Sequence, residues 1–181
     1  MINYPLEKAF TLIEPGPVVL ITTKGEKRPN IMTLSWKMVL DFTPSFAICT
    51  GPWNYSFKSL METRECVLSI PTVELAEKVV EIGACSGREV DKFAKFELTK
   101  LPAETVSAPL IAECYANLEC KVTDYIETQS IIVLDCVKAW QNEHITTPKF
   151  FHAVGDGTFT VDGKTITDLR DIMMDKLPPG V

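Results

Sequence analysis

The chain has 181 residues, 46% hydrophobic and 23% charged, enough to bury one core and too apolar for a disordered chain. Eighteen Lys and Arg against 24 Asp and Glu leave a net charge of −6. That balance argues against nucleic acid as the main partner, because such affinity rests on cations that neutralise phosphates.

The first residues, 1–8, lack a basic start followed by an apolar stretch, so no secretory leader and a cytoplasmic setting are expected. Residues 6–13 suit a short helix, stopped by Pro15-Gly16-Pro17. Residues 18–23 are β-branched except for Leu20 and read as a strand. A tight turn at 24–27 leads to a return strand over 30–39, making a hairpin. Residues 45–50 are a third strand, broken by Gly51-Pro52. Helix spacing over 56–63 puts Phe57, Leu60 and Met61 on one face. The longest uncharged run, 42–57, holds Pro44, Gly51, Pro52 and Asn54 and falls short of the ~20 apolar residues that span a bilayer.

Residues 66–71 are a fourth strand. Thr72 suits the N-cap of a helix over 73–84, whose core stripe is Leu75, Ala76, Val79, Val80 and Ile82. Residues 92–96 read as loop. Residues 115–123 and 131–140 make a long antiparallel hairpin around the polar turn 124–129. A short strand follows at 159–161, and a last helix at 168–176 starts on Asp168 and ends before Pro178-Pro179-Gly180. Six or seven strands, mostly joined as hairpins, do not alternate strictly with helices. They predict one domain over 1–181: an antiparallel barrel with helices packed outside.

Common catalytic signatures are missing. There is no G-x-G-x-x-G, no P-loop, no G-x-S-x-G and no H-E-x-x-H. His144 and His152 are too few for a histidine metal site, and no metal is expected. The six cysteines form no C-x-x-C pair. Cys49, Cys66 and Cys136 lie in apolar runs, so reduced, buried thiols are expected.

Three polar-aromatic clusters remain. Asn30-Ile31-Met32-Thr33-Leu34-Ser35-Trp36 mixes donors and acceptors with large apolar groups, which suits a flat heteroaromatic ligand or simply a barrel strand. Thr50 to Lys58 runs from a strand through Gly51-Pro52 into a helix, where Asn54 or Ser56 is a cap. Free amides there suit a phosphate, or the cap stands alone. Ser86-Gly87-Arg88-Glu89-Val90-Asp91-Lys92-Phe93 is an exposed loop or a cation and an aromatic reaching over a ligand.

In this order and spacing the clusters resemble the flavin reductase-like, FMN-binding split-barrel family, and within it the flavoredoxin-type branch. The opening run 16–23, the 65–71 strand, Asp91-Lys92-Phe93 and the closing run 150–159 match as well. The resemblance implies a mainly β fold with helices: a split β-barrel, antiparallel and Greek-key-like, with flanking helices. It implies an FMN flavoprotein, an oxidoreductase, assembled as a homodimer with FMN near the subunit interface. Asn30, Met32, Thr33, Leu34, Ser35 and Trp36 would line the isoalloxazine and ribityl chain. Asn54, Tyr55 and Ser56 would meet the ribityl or phosphate end. Lys92 and Phe93 would close the site, with Lys92 on the phosphate. Nicotinamide-using members usually carry Gly-Asp-His where this chain has Thr128-Gln129-Ser130. Flavoredoxin-like electron transfer with a redox protein partner is therefore expected. The alternatives are an NAD(P)H-dependent flavin reductase and a non-catalytic flavin carrier or sensor. Trp36, Trp53, Phe150, Phe151 and the amphipathic segment 168–181 are expected to pack on the second subunit.

Overall fold

Apolar runs pair in register to build one large antiparallel sheet, which the computed structural model describes within residues 1–163. In chain order the elements are β1 (Ile2–Tyr4), a 3-10 turn (Leu6–Lys8), α1 (Ala9–Ile13), β2 (Val19–Thr23), β3 (Asn30–Leu34), β4 (Lys37–Asp41) and β5 (Ser45–Cys49). Next come α2 (Tyr55–Thr63), β6 (Glu65–Ile70), a 3-10 turn (Val73–Leu75), α3 (Ala76–Ala84), α4 (Lys92–Lys95), β7 (Lys100–Leu101) and β8 (Leu110–Ile111). The rest are β9 (Ala116–Ile126), a 3-10 turn (Glu127–Gln129), β10 (Ile131–Gln141), β11 (Phe151–Ala153) and β12 (Phe159–Val161). The main sheet runs β3-β2-β6-β9-β10-β5-β4, with β1 on β10; β7–β8 and β11–β12 are small ribbons. Fold class is as expected: mainly β, a curled antiparallel half-barrel with helices beside it.

The apolar run 18–21 that leads into β2 has a simple cause. Val19 and Ile21 enter the core inside the curl, while Val18 and Leu20 enter a second core under α3 and α4. A strand buried on both faces cannot alternate apolar with polar. The β9–β10 hairpin forms as expected, and bulges between Val133 and Leu134 and between Cys136 and Lys138 bend it. Cys66 on β6 lies opposite Cys120 on β9, which lies opposite Cys136 on β10, a row of free thiols in the inner core. Contacts with Cys136 and Cys66, together with burial, push the Cys120 thiol well above the ordinary range.

Several expectations change. The 30–39 run is two strands. It breaks at Ser35 and Trp36, and β4 pairs with β5, not β2, with the Cys49 amide donating to the Trp36 carbonyl at 2.9 Å. Residues 92–95 are a short helix, because the Asp91 carboxylate accepts the Ala94 amide at 3.2 Å and caps it. Thr72 makes no side-chain cap bond, and a 3-10 turn precedes α3. Phe150 and Phe151 are buried in this chain's own cores, leaving neither free for a partner. The expected 168–176 helix and the 168–181 segment lie outside the described residues. Among the described residues no helix is long and apolar enough to cross a membrane.

One buried carboxylate ties the outer ribbon to the sheet. Glu119 on β9 accepts the Glu104 and Thr105 amides at 2.9 and 2.6 Å, the Thr105 hydroxyl at 2.5 Å and the Trp140 indole N–H at 2.7 Å. Burial alone would raise its pKa. These donors overcome burial and hold it below the ordinary glutamate value.

Candidate functional site

The β2–β3 register sets Thr23 opposite Asn30 at the end of the hairpin. Gly51-Pro52 then brings α2 alongside. The Trp53 ring folds back over Gly51 so closely that a Cβ there would lie 2.4 Å from it. Asn54 precedes α2 in extended conformation, but its side chain does not cap the helix; its Nδ2 donates instead to Thr50 Oγ1 at 2.9 Å. The first amides of α2 are therefore left without a side-chain partner. Asn30 Nδ2 donates to Ser56 Oγ at 2.8 Å, both groups buried. Asn30 Oδ1 sits only 1.9 Å from where a Cβ of residue 87 would be, so glycine is required there.

Two hollows share Asn30, Asn54, Tyr55 and Ser56 as a common wall. The first, about 240 Å³, is completed by residues including Thr23, Gly25, Lys58, Ser59 and Arg88. The second, about 320 Å³, is completed by Met32, Thr33, Trp53, the 83–87 turn and Lys92. Together they have the size of a small-cofactor site, roughly 300–1,000 Å³.

Thr23 supplies the sharpest signal. Its hydroxyl is fully buried and has no hydrogen-bond partner among the described residues. Buried hydroxyls rarely stay unpaired. This one lines the first hollow, beside the uncapped start of α2. The Arg88 guanidinium stands 5.8 Å over the Tyr55 ring on the same side. A helix N-terminus, a hydroxyl and a guanidinium together recognise a phosphate-like anion. The second hollow sets Met32 and Trp53 beside a mostly polar lining that includes Thr33, Ser86 and Lys92.

Of the sequence-selected residues, Asn30, Met32, Thr33, Asn54, Tyr55, Ser56 and Lys92 meet at this cleft. Leu34 and Phe93 point into the inner and outer cores. Ser35 and Trp36 sit at the break after β3. Trp36 lines a separate apolar hollow with Lys37, Met38, Cys49 and Ile131, where burial pulls the Lys37 ammonium down to about 8. Sequence reasoning misses Thr23, Ser59 and residues 83–85 as lining groups; Trp53, Ser86 and Gly87 stand in its clusters, but it assigns Trp53 to the second subunit. Arg88 had a signal, a cation in an acidic chain; Thr23 becomes visible only once the β2–β3 register is known.

The family model described as flavin reductase like domain matches residues 13–156. A protein of Archaeoglobus fulgidus described as uncharacterized is 36% identical over 109 residues, 60% of this chain and 62% of that one, so this chain spans less than two thirds of its length. An FMN-binding domain of a flavin reductases-like enzyme from Shewanella baltica OS155 superposes with a TM-score of 0.83 at 21% identity, over 92% of this chain and 96% of that one. Flavoredoxin of Desulfovibrio vulgaris (Miyazaki F) does so with a TM-score of 0.77 at 25% identity, over 85% and 90%. With its split barrel and with most of its length matched by the model, the chain belongs to the flavin reductase-like domain family.

Proposed function

We propose that the chain binds one FMN in the two-lobed cleft and serves as a flavoredoxin-like electron-transfer oxidoreductase. The unpaired, buried Thr23 hydroxyl, in the hollow that the uncapped start of α2 also lines, carries this reading, because it needs an acceptor that the described residues do not supply. A phosphate monoester supplies one. Arg88 would add charge, Lys58 on the rim being paired with Glu26 and Glu62, and Asn30 and Ser56, already bonded to each other, would hold the junction between the lobes. The donors suit one phosphate, hence FMN over FAD. When bound, the flavin supplies the electron transfer; this chain positions it and keeps water from its buried side. The likeness to a flavoredoxin supports the electron-transfer role. So does the β9–β10 tip, where Thr128, Gln129 and Ser130 offer no imidazole. A cytoplasmic setting suits six free thiols.

Anaerobic spectroscopy of the purified protein tests this. We expect one FMN per chain after heat release, reduced by dithionite or by a reduced redox protein and not by NADH or NADPH alone. Bleaching by a nicotinamide would make the chain a reductase. A flavin that no donor reduces would make it a carrier or sensor, and FAD or no flavin would overturn the FMN reading.

We also propose a homodimer that uses β4. This strand ends the main sheet, and Trp36, Met38 and Leu40 are 69%, 53% and 45% exposed along one face, alternating with Val39, which packs on the inner core. An apolar edge of this kind is a pairing surface unless charge blocks it. Wild-type protein should sediment as a dimer at low micromolar concentration, and Met38→Lys as a monomer with unchanged far-UV circular dichroism. A monomeric wild type saturated with FMN would end the proposal.

A further inference from the structure

Cys66, Cys120 and Cys136 lie in one row on the inner face of three neighbouring strands, and nothing in the cleft uses them. The ladders make the two junctions of that row unequal. The Cys136 amide donates to the Pro44 carbonyl at 2.8 Å, on the side away from β9. The Val122 amide donates to the Arg64 carbonyl at 2.9 Å, so Cys120, two residues back on β9, also turns its backbone groups toward β6. Cys120 and Cys136 are therefore directly opposite each other with no hydrogen bond between their backbones. Opposed Cβ atoms lie about 4.5–5.5 Å apart, and pairs without those bonds hold the near end of that range. A disulfide asks for a Cβ separation of about 3.5–4.5 Å, so this junction needs the smaller movement.

Access favours the same junction. Cys66 and Cys120 are fully buried, whereas Cys136 borders a surface hollow of about 350 Å³ with Leu6, Thr43, Pro44, Ser45, Asp135 and Val137. A hydrogen bond to Cys136 is the largest cause of the raised Cys120 thiol, so the two groups touch and Cys120 stays protonated. We propose that Cys120 and Cys136 are a redox-convertible pair, which a small hydroperoxide entering this hollow turns into a disulfide between β9 and β10. The Cys136 sulfur attacks the peroxide and takes one oxygen as a sulfenic acid, and the rest leaves as water or an alcohol. The Cys120 sulfur then displaces the sulfenic hydroxyl, which departs as water with the Cys120 proton. Two thiols are oxidised to one disulfide, and one peroxide is reduced to two waters, or to water and an alcohol. A thiol already in contact consumes the sulfenic acid before a second peroxide arrives, which keeps the oxidation reversible. The new bond staples the long hairpin beside the register shift between Cys136 and Lys138.

The test uses the whole chain, purified reduced, exposed to hydrogen peroxide, and alkylated in denaturant before peptide mass mapping. Wild-type protein should yield a linked Cys120–Cys136 peptide pair that a dithiol reductant reverses. The oxidised chain should also unfold at a higher urea concentration than the reduced one. Cys66→Ala should keep the link. Cys120→Ala should show oxygen added at Cys136 in place of the link, and Cys136→Ala should leave Cys120 a free thiol. The proposal is overturned if Cys120 and Cys136 both stay alkylatable while the half-buried Cys49 or Cys85 is oxidised. It is equally overturned if Cys120 links to Cys66 instead, or if the Cys120–Cys136 link forms as readily in urea, where no sheet holds the two together. If the alanine variants do not fold, the wild-type peptide map alone decides.

Discussion

Replacing Glu119 with alanine should cost about 3–5 kcal/mol of folding stability, the usual loss when one partner of a buried charged network is removed. The carboxylate accepts four donors, from Glu104, Thr105 twice and Trp140. Alanine would leave all four facing a dry gap at the third apolar cluster, where Val67, Ala108 and Leu110 pack with Trp140. Against a total of roughly 5–15 kcal/mol for a domain, the variant would be near unfolding. Urea denaturation should show a lower midpoint at an unchanged slope. A loss under about 1 kcal/mol would mean that the 104–105 segment docks without the carboxylate. The sign with pH also follows. The folded pKa of Glu119 is depressed, so its contribution is complete above the ordinary glutamate value of about 4.3 and fades as pH falls through the lower folded value. Glu119→Gln should remove that part of the acid sensitivity.

Gly87→Ala should weaken FMN binding by about tenfold to a hundredfold. The new methyl would lie 1.9 Å from Asn30 Oδ1 and 2.4 Å from its Cγ. Asn30 cannot step aside freely, because it is buried and bonded to Ser56. Displacing it breaks that bond inside the wall shared by both lobes, a cost of about 1–3 kcal/mol. Titration by flavin fluorescence quenching reads the affinity. The double variant Asn30→Ala with Gly87→Ala discriminates the cause: if the clash is the mechanism, it should bind no worse than Asn30→Ala alone. Additive losses would show that the 86–88 turn itself had moved.

What the chain reveals before folding is uneven, and residues 30–36 show why. Asn30, Met32 and Thr33 reach the cleft, but Leu34 turns into the inner core, because side chains on a strand alternate and a contiguous motif cannot all face one ligand. Phe93 follows Lys92 and still packs outward under α3, for the same reason of direction. β2 is legible from its largely β-branched run, β6 from a short apolar run ended by Pro71, the long hairpin from two strands around the polar turn 124–129, and the start of α2 from Gly51-Pro52 and Asn54. The four-residue α4 is too short for any periodic pattern to declare it. The unpaired Thr23 hydroxyl, and the Lys92 ammonium bonded to the Ile31 and Ile82 carbonyls, depend on carbonyls and registers far away in sequence, which no local pattern carries.

The break at Ser35 and Trp36 also decides how the sheet is closed. β3 and β4 are consecutive in the chain, yet they are the two opposite ends of the strand order, and no ladder joins them. The ring of strands is therefore completed by covalent bonds where a closed barrel would use hydrogen bonds. A nick in the β2–β3 or β9–β10 hairpin would leave its ladder in place to hold the ends. A nick between Ser35 and Trp36 would free two edges with no ladder between them, and the curl would be able to unroll from the side that carries the cleft. Those two residues act as a clasp, and a circular permutant that opens there would report how much of the cleft's shape depends on tension in the chain.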